Sequence, residues 1–112
     1  MSADHPWEIA PKSLQEAMQS ESPPVVIDCR EVSEVAIAMI VGTMHIPMGE
    51  TKSRMPELEA HADAVVVVHC HHGVRSLQVV AFLRESGFDL AVSLAGGIDR
   101  WSTEIDRNIP RY

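Results

Sequence analysis

The sequence predicts an α/β fold built on a parallel sheet covered on both faces. Three observations lead there. Two apolar, β-branched runs, Val25-Val26-Ile27 and Val65-Val66-Val67-Val68, are continuous rather than alternating, the pattern of strands buried on both sides. Each run halts at polar residues, Asp28-Cys29-Arg30-Glu31 and His69-Cys70-His71-His72-Gly73, so polar groups are delivered at the strands' carboxyl ends. Helical stretches separate the runs, an alternation that brings strands side by side in parallel through crossover helices.

The elements follow in order. After an N-terminal lead-in, residues 1–10, Pro11-Lys12-Ser13 followed by Leu14, Ala17 and Met18 predicts a short helix with an apolar i, i+3, i+4 set, ended by Pro23 and Pro24. The first strand is Val25-Val26-Ile27. A helical turn region is expected over 55–61, and the second strand is Val65-Val66-Val67-Val68. The strongest helix is 76–86, where Leu77, Val79, Val80, Phe82 and Leu83 are apolar nearly all round and Gly87 is placed as a stop, which predicts a largely buried helix. A weaker strand, Ala91-Val92-Ser93-Leu94, ends at Ala95-Gly96-Gly97, and a last helix covers 98–105. With no repeat and no low-complexity tract, residues 1–112 read as one domain.

Composition narrows the function. A chain of 112 residues with 46% hydrophobic content buries a core, and with only five aromatics Val, Ile, Leu, Ala and Met must fill it. Nine Lys and Arg against sixteen Asp and Glu give a net charge of −7, a mean field that disfavours nucleic acid and anionic membrane surfaces. A local cradle of backbone amides can still hold a small anion. The longest apolar run, Val35 to Val41, has seven residues, whereas a spanning helix needs about 20. The first residues lack the basic and apolar regions of a signal peptide, so a cytoplasmic location is expected. In a reducing compartment, two cysteines point to buried, metal-bound or reactive thiols rather than a disulfide scaffold.

Cys70 is where the chemistry concentrates. Ligands bind outside the carboxyl ends of strands in α/β sheets, and Cys70 ends such a strand just before a helix. Unpaired first-turn amides and the positive end of the helix dipole favour an anion in the intervening loop, and the thiolate of Cys70 is the candidate. Gly73 supplies the positive φ or close backbone approach that a tight cradle needs. Arg75 is either an anion ligand or a strut that pairs with a carboxylate and fixes the loop.

Cys70-His71-His72-Gly73-Val74-Arg75-Ser76 resembles the active-site loop of rhodanese-type sulfurtransferases, Cys-x-x-Gly-x-Arg or Thr followed by a helix. Val26-Ile27-Asp28-Cys29-Arg30-Glu31 resembles that family's Asp-x-Arg-Glu strand end, His45-Ile46-Pro47 its Ile-Pro element, and Leu94-Ala95-Gly96-Gly97 with Trp101 its C-terminal signature. Ordered motifs over residues 24–112 are far more specific than the loop alone. The resemblance implies a rhodanese-like three-layer α/β/α fold with a five-stranded, mainly parallel sheet. It also implies that Cys70 attacks the outer sulfur of a small anionic donor such as thiosulfate, holds it as a persulfide and passes it to cyanide or a thiol. A protein partner in a sulfur relay is a further expectation, and no cofactor is implied. The loop His71, His72, Gly73, Val74, Arg75 and Ser76 would bind substrate, its amides stabilising the anionic sulfur. Phosphatase-like members carry a loop one residue longer, so the six residues from Cys70 to Arg75 match the sulfurtransferase class.

Two departures from the family pattern stand out. Ala38-Met39 replaces a frequent Gly-His, and two histidines replace basic residues in the loop, which makes its charge pH-dependent and predicts modest thiosulfate affinity. His71 and His72 are expected to be exposed residues that tune the local field. Asp28 and Arg30 are expected to form a structural charge pair, and Trp101 to seat the last helix. No metal site is assigned to His69, Cys70, His71, His72 and His45, because adjacent residues on a strand point to opposite faces and few of them can converge on one ion. For Cys29, strand alternation favours a packed cysteine turned away from Cys70; the competing reading is a resolving thiol that converts a persulfide into a disulfide. The alternative function is a catalytically weak rhodanese-like module that binds a partner or senses redox state.

Overall fold

The computed structural model describes residues 6–112, and the opening of the lead-in lies outside the described residues. Strands β1 (Glu8–Ile9), β2 (Val25–Asp28), β3 (Met44–His45), β4 (Val66–His69) and β5 (Ala91–Leu94) form one sheet in the order β1-β5-β4-β2-β3. Every neighbouring pair is parallel. Helices α1 (Pro11–Met18), α2 (Val32–Ile37), α3 (Val74–Glu85) and α4 (Gly97–Glu104) complete the fold. Among the described residues no helix is long and apolar enough to cross a membrane.

Alternation along the central strands divides the core into two layers. Ile27, Val66 and Val68 face one side, where they meet Val79, Val80 and Leu83 of α3 together with Leu58 and Ile46. Val26 and Val67 face the other, against Leu14 of α1 and Ile98 and Trp101 of α4. This is the three-layer α/β/α arrangement, with Trp101 seating the last helix. The registers Asp28↔His69 and Val68↔Ser93 bring the carboxyl ends of β2, β4 and β5 level with one another.

Several local expectations change. The apolar run 35–41 is divided: α2 ends at Ile37 and the chain becomes extended at Ala38, after which Ala38 and Ile40 are buried while Met39 and Val41 are exposed. The expected helical region over 55–61 is a pair of 3₁₀ turns, Met55–Glu57 and Glu59–His61. Helix α3 starts at Val74, before Ser76, because Gly73 at φ 101° caps it. It buries Ser76, Val79, Val80 and Leu83 and exposes Val74 and Gln78, so it covers the sheet with one face instead of being buried nearly all round.

Candidate active site

Strand β4 carries the chain into the sheet's carboxyl end and leaves Cys70 just beyond it, 1% exposed. The chain then turns through His71, His72 and Gly73 into α3. The left-handed φ of Gly73 folds its amide back, so that its N–H donates to Cys70 Sγ at 3.1 Å. The Ser76 amide, in the first turn of α3, donates to the same sulfur at 3.4 Å. Two amides of the loop thus reach the sulfur, fewer than the whole run from His71 to Ser76. The Ser76 hydroxyl stands 3.3 Å from Sγ and 2.7 Å from the hydroxyl of Ser93 on β5.

A second helix fixes the back of the loop. The amides of Ile98 and Asp99, in the first turn of α4, donate to the carbonyls of Cys70 at 2.9 Å and His71 at 3.1 Å. Gly97 lets the two backbones meet: its φ is 61°, and a Cβ there would lie 2.5 Å from the Cys70 carbonyl oxygen. The Gly-Gly pair of the C-terminal motif is therefore a seat for the backbone of Cys70 and His71.

Cys29 directly follows β2, its amide donating to the His69 carbonyl at 3.0 Å, and its side chain packs with Cys70 on the α3 face of the sheet. Both cysteines are free and buried. The neighbouring Cys29 thiol is the largest influence holding Cys70 down, to a pKa of about 4. Burial opposes it, and the Ser76 hydroxyl and the Ser76 and Gly73 amides add to it. The same contact with Cys70, together with burial, pushes Cys29 well above the ordinary thiol range. One thiolate, on Cys70, and one thiol, on Cys29, is the resulting charge state. The expectation that Cys29 turns away is corrected. Alternation holds along each strand, but β2 and β4 are parallel and in register, so residues that follow Asp28 and His69 share a face.

Arg75 makes a bidentate pair with Glu34 of α2 at 2.6 and 2.8 Å, which holds Glu34 down to about 2 and ties the start of α3 to α2. Tyr112 donates its hydroxyl to Glu34 at 2.8 Å and accepts one from Arg30 at 2.8 Å. Arg30 is fully buried, pairs with Asp28 through 2.7 and 2.9 Å bonds and donates to the Ala38 carbonyl at 2.6 Å. The structural Asp28–Arg30 pair is present as expected. His72 is exposed, but His71 is half-buried: its ring stacks between His72 and Tyr112, centroids 3.8 and 3.9 Å away, and its Nε2 is buried without a hydrogen-bond partner. That departs from the expected exposed residue, because the C-terminal segment returns over the loop.

For metals, His69 is buried between β2 and β5 in the sheet order and His45 is hydrogen-bonded to the Arg30 carbonyl at 2.7 Å. Among the described residues only His71, His72 and Asp99 gather ligand atoms, within 4.8 Å of one another. The Asp99 carboxylate is already held by Arg111 at 2.9 and 3.1 Å.

Residues 10–104 match the family described as the rhodanese-like domain. This chain belongs to the rhodanese-like family. Among relatives it is similar to the putative sulfurtransferase YtwF of Bacillus subtilis, with 35% identity covering 87% of this chain and 91% of that one. It is also 29% identical, over 93% of its length, to the adenylyltransferase and sulfurtransferase MOCS3 of Arabidopsis thaliana, of which it spans only 25%. A solved rhodanese-related protein from Thermoplasma volcanium superposes with a TM-score of 0.77 at 32% identity, covering 88% of this chain and 92% of that one.

Within this rhodanese-like frame, Cys70, Gly73 and Ser76 converge on one sulfur, Arg75 turns aside to Glu34, and Val74 points outward, 67% exposed. Glu34, Ser93 and Tyr112 were not singled out from the sequence. Glu34 had a signal, since Glu31 and Glu34 form a capping box at the start of α2. Ser93 had a weaker one, a lone hydroxyl in an apolar strand. Tyr112 had none, because its position depends on how the C-terminal segment folds back.

Proposed function

We propose that this chain is a sulfurtransferase that moves sulfane sulfur from a small anionic donor such as thiosulfate to a thiol or cyanide through a persulfide on Cys70. The observation that carries the reading is the Cys70 sulfur at the end of β4, met by two amides and a hydroxyl at the N-terminus of α3. In the first half-reaction the Cys70 thiolate attacks the outer sulfur of thiosulfate, a sulfur–sulfur bond forms, and sulfite leaves with the electron pair of the bond that breaks. In the second, cyanide or a thiolate takes the outer sulfur and Cys70 leaves as thiolate. A group with a low pKa suits both roles, and the Gly73 and Ser76 donors stabilise anionic sulfur throughout.

His71, His72, Val74 and Arg75 complete the wall that a donor meets, with Arg75 serving as the strut. The six-residue loop supports sulfur rather than phosphate as the transferred group. The similarity to MOCS3, named for an adenylyltransferase joined to a sulfurtransferase, supports a protein partner in a sulfur relay. Two cysteines, too few for a disulfide-dense scaffold, support a reducing compartment such as the cytoplasm.

The test is intact mass after thiosulfate, with acid quenching, before and after cyanide, on the wild type and on Cys70→Ser. Gain of one sulfur atom that cyanide removes, absent in the variant, supports the reading. Lack of any sulfur gain or thiocyanate formation across donor concentrations overturns it in favour of a binding or redox module.

A further inference from the structure

In the transfer proposed above, Cys29 does no more than favour the Cys70 thiolate, yet its placement equips it for a reaction of its own. Strands β2 and β4 pair in register up to Asp28 and His69, and the two cysteines follow as the next residues on adjacent chains. Adjacent strands lie about 4.8 Å apart, inside the window of about 4.4–6.8 Å between Cα atoms that a disulfide accepts. Their side chains share the α3 face and pack in one cluster. In the sheet order β4 stands between β5 and β2. Ser76, anchored to Ser93 of β5, meets the Cys70 sulfur on the β5 side, while Cys29, next after β2, lies on the other side of β4.

The product of attack on a persulfide depends on which sulfur is attacked. An acceptor from solvent reaches the outer sulfur and takes it away. The inner sulfur, Cys70 Sγ, is nearly sealed, with Cys70 1% exposed, so external nucleophiles are kept from it, whereas Cys29, 0% exposed, is buried in the same cluster.

We propose that Cys29 attacks the inner sulfur of the Cys70 persulfide, releasing hydrosulfide and leaving a Cys29–Cys70 disulfide, so that the protein has a sulfide-releasing outlet beside sulfur transfer. This rests on the reading of Cys70 as a persulfide carrier. The bond that forms joins Cys29 Sγ to Cys70 Sγ, and the bond that breaks joins Cys70 Sγ to the outer sulfur. The outer sulfur leaves with that electron pair and takes the Cys29 thiol proton, so one thiol and one persulfide anion give one disulfide and one hydrosulfide anion. The outer sulfur is reduced and Cys29 is oxidised, with no external oxidant. Two equivalents of an external thiol then reduce the disulfide and restore the starting pair.

The two outlets differ in what they need. Transfer dominates while an acceptor is bound at the loop, and discharge dominates when none arrives. The disulfide also removes the Cys70 nucleophile, so a chain without acceptor stops accepting sulfur until thiols reset it.

The test loads the full chain with thiosulfate, removes the donor and adds no acceptor. Intact mass, released sulfide and non-reducing peptide maps are followed with time for the wild type and Cys29→Ser, which keeps a hydrogen-bond donor beside Cys70. The expected result is that the wild type loses the added sulfur, releases one hydrosulfide per chain and yields linked Cys29 and Cys70 peptides. Cys29→Ser should hold its sulfur about tenfold longer or more, since attack on the inner sulfur is closed. Equal discharge rates in the two proteins, or a wild type that discharges without the linked peptides or keeps its sulfur, would overturn the proposal. Absence of sulfur on either protein, with no disulfide in the wild type, is instead the failure of the persulfide reading itself.

Discussion

The low pKa of Cys70 comes from what surrounds its sulfur, and this can be read through pH. Held to about 4 by the Cys29 thiol, the Ser76 hydroxyl and two amides against the opposing effect of burial, Cys70 should alkylate at an undiminished rate down to about pH 5, whereas an unperturbed thiol with a pKa near 8.5 slows from neutrality downward. Native protein should take one alkyl group, on Cys70, because Cys29 stays a thiol. Ser76→Ala removes one donor and keeps the amide. The midpoint of its alkylation profile should move upward by about one pH unit, the equivalent of a hydrogen bond to a charged sulfur worth about 1.5 kcal/mol. A stopped-flow pH series on both proteins checks this, and an unchanged midpoint would assign the low pKa to other donors. At this scale the convergence of Cys70, Gly73 and Ser76 was legible in the sequence, as they form one contiguous motif. The second cysteine was misread, since alternation within one strand says nothing about the register between two.

Among the elements, the first turn of α4 matters most, because it bonds the carbonyls of Cys70 and His71. Gly97 and Gly87 both have positive φ, but a Cβ on Gly87 meets nothing within 4 Å while one on Gly97 meets the Cys70 carbonyl. Gly87→Ala should therefore cost only the left-handed backbone penalty, about 1–2 kcal/mol. Gly97→Ala should cost about twice that or more, and should also slow alkylation of Cys70 as the loop is pushed forward. Urea unfolding of the two variants side by side provides the comparison. Strands β2, β4 and β5 were readable from continuous apolar runs. Strands β1 and β3 were not, because two-residue pairings such as Glu8–Ile9 and Met44–His45 are selected by the neighbouring strand and leave no pattern of their own. Helix α2 was concealed in the same way: Val35 and Ile37 run on into the extended Ala38 and Ile40 with no change of hydropathy at the boundary.

For the whole molecule, His69 sets the stability at mildly acidic pH. It is fully buried, with both ring nitrogens lacking a hydrogen bond. Burial lowers its pKa more than Asp28, 3.7 Å away, raises it; Asp28 is already neutralised by Arg30. The unfolded chain, with a histidine pKa near 6.5, takes up a proton that the folded chain refuses, so stability is retained above about pH 6.5 and lost as pH falls below it, by at most about 1.4 kcal/mol per pH unit. Glu34, held low by Arg75, adds a second loss only once pH falls through the carboxylate range. Urea midpoints at pH 7.5 and 5.5 should fall for the wild type and change less for His69→Gln. The grip of α4 on the loop also has a consequence during synthesis. Residues 70 and 71 are held by residues 98 and 99, and Ser76 by Ser93, so the segment that supports the loop leaves the ribosome after the cysteine it supports. In a nascent chain the loop that holds Cys70 lacks its supports from β5 and α4 until those elements dock, so the finished cradle exists only once the C-terminal third has folded.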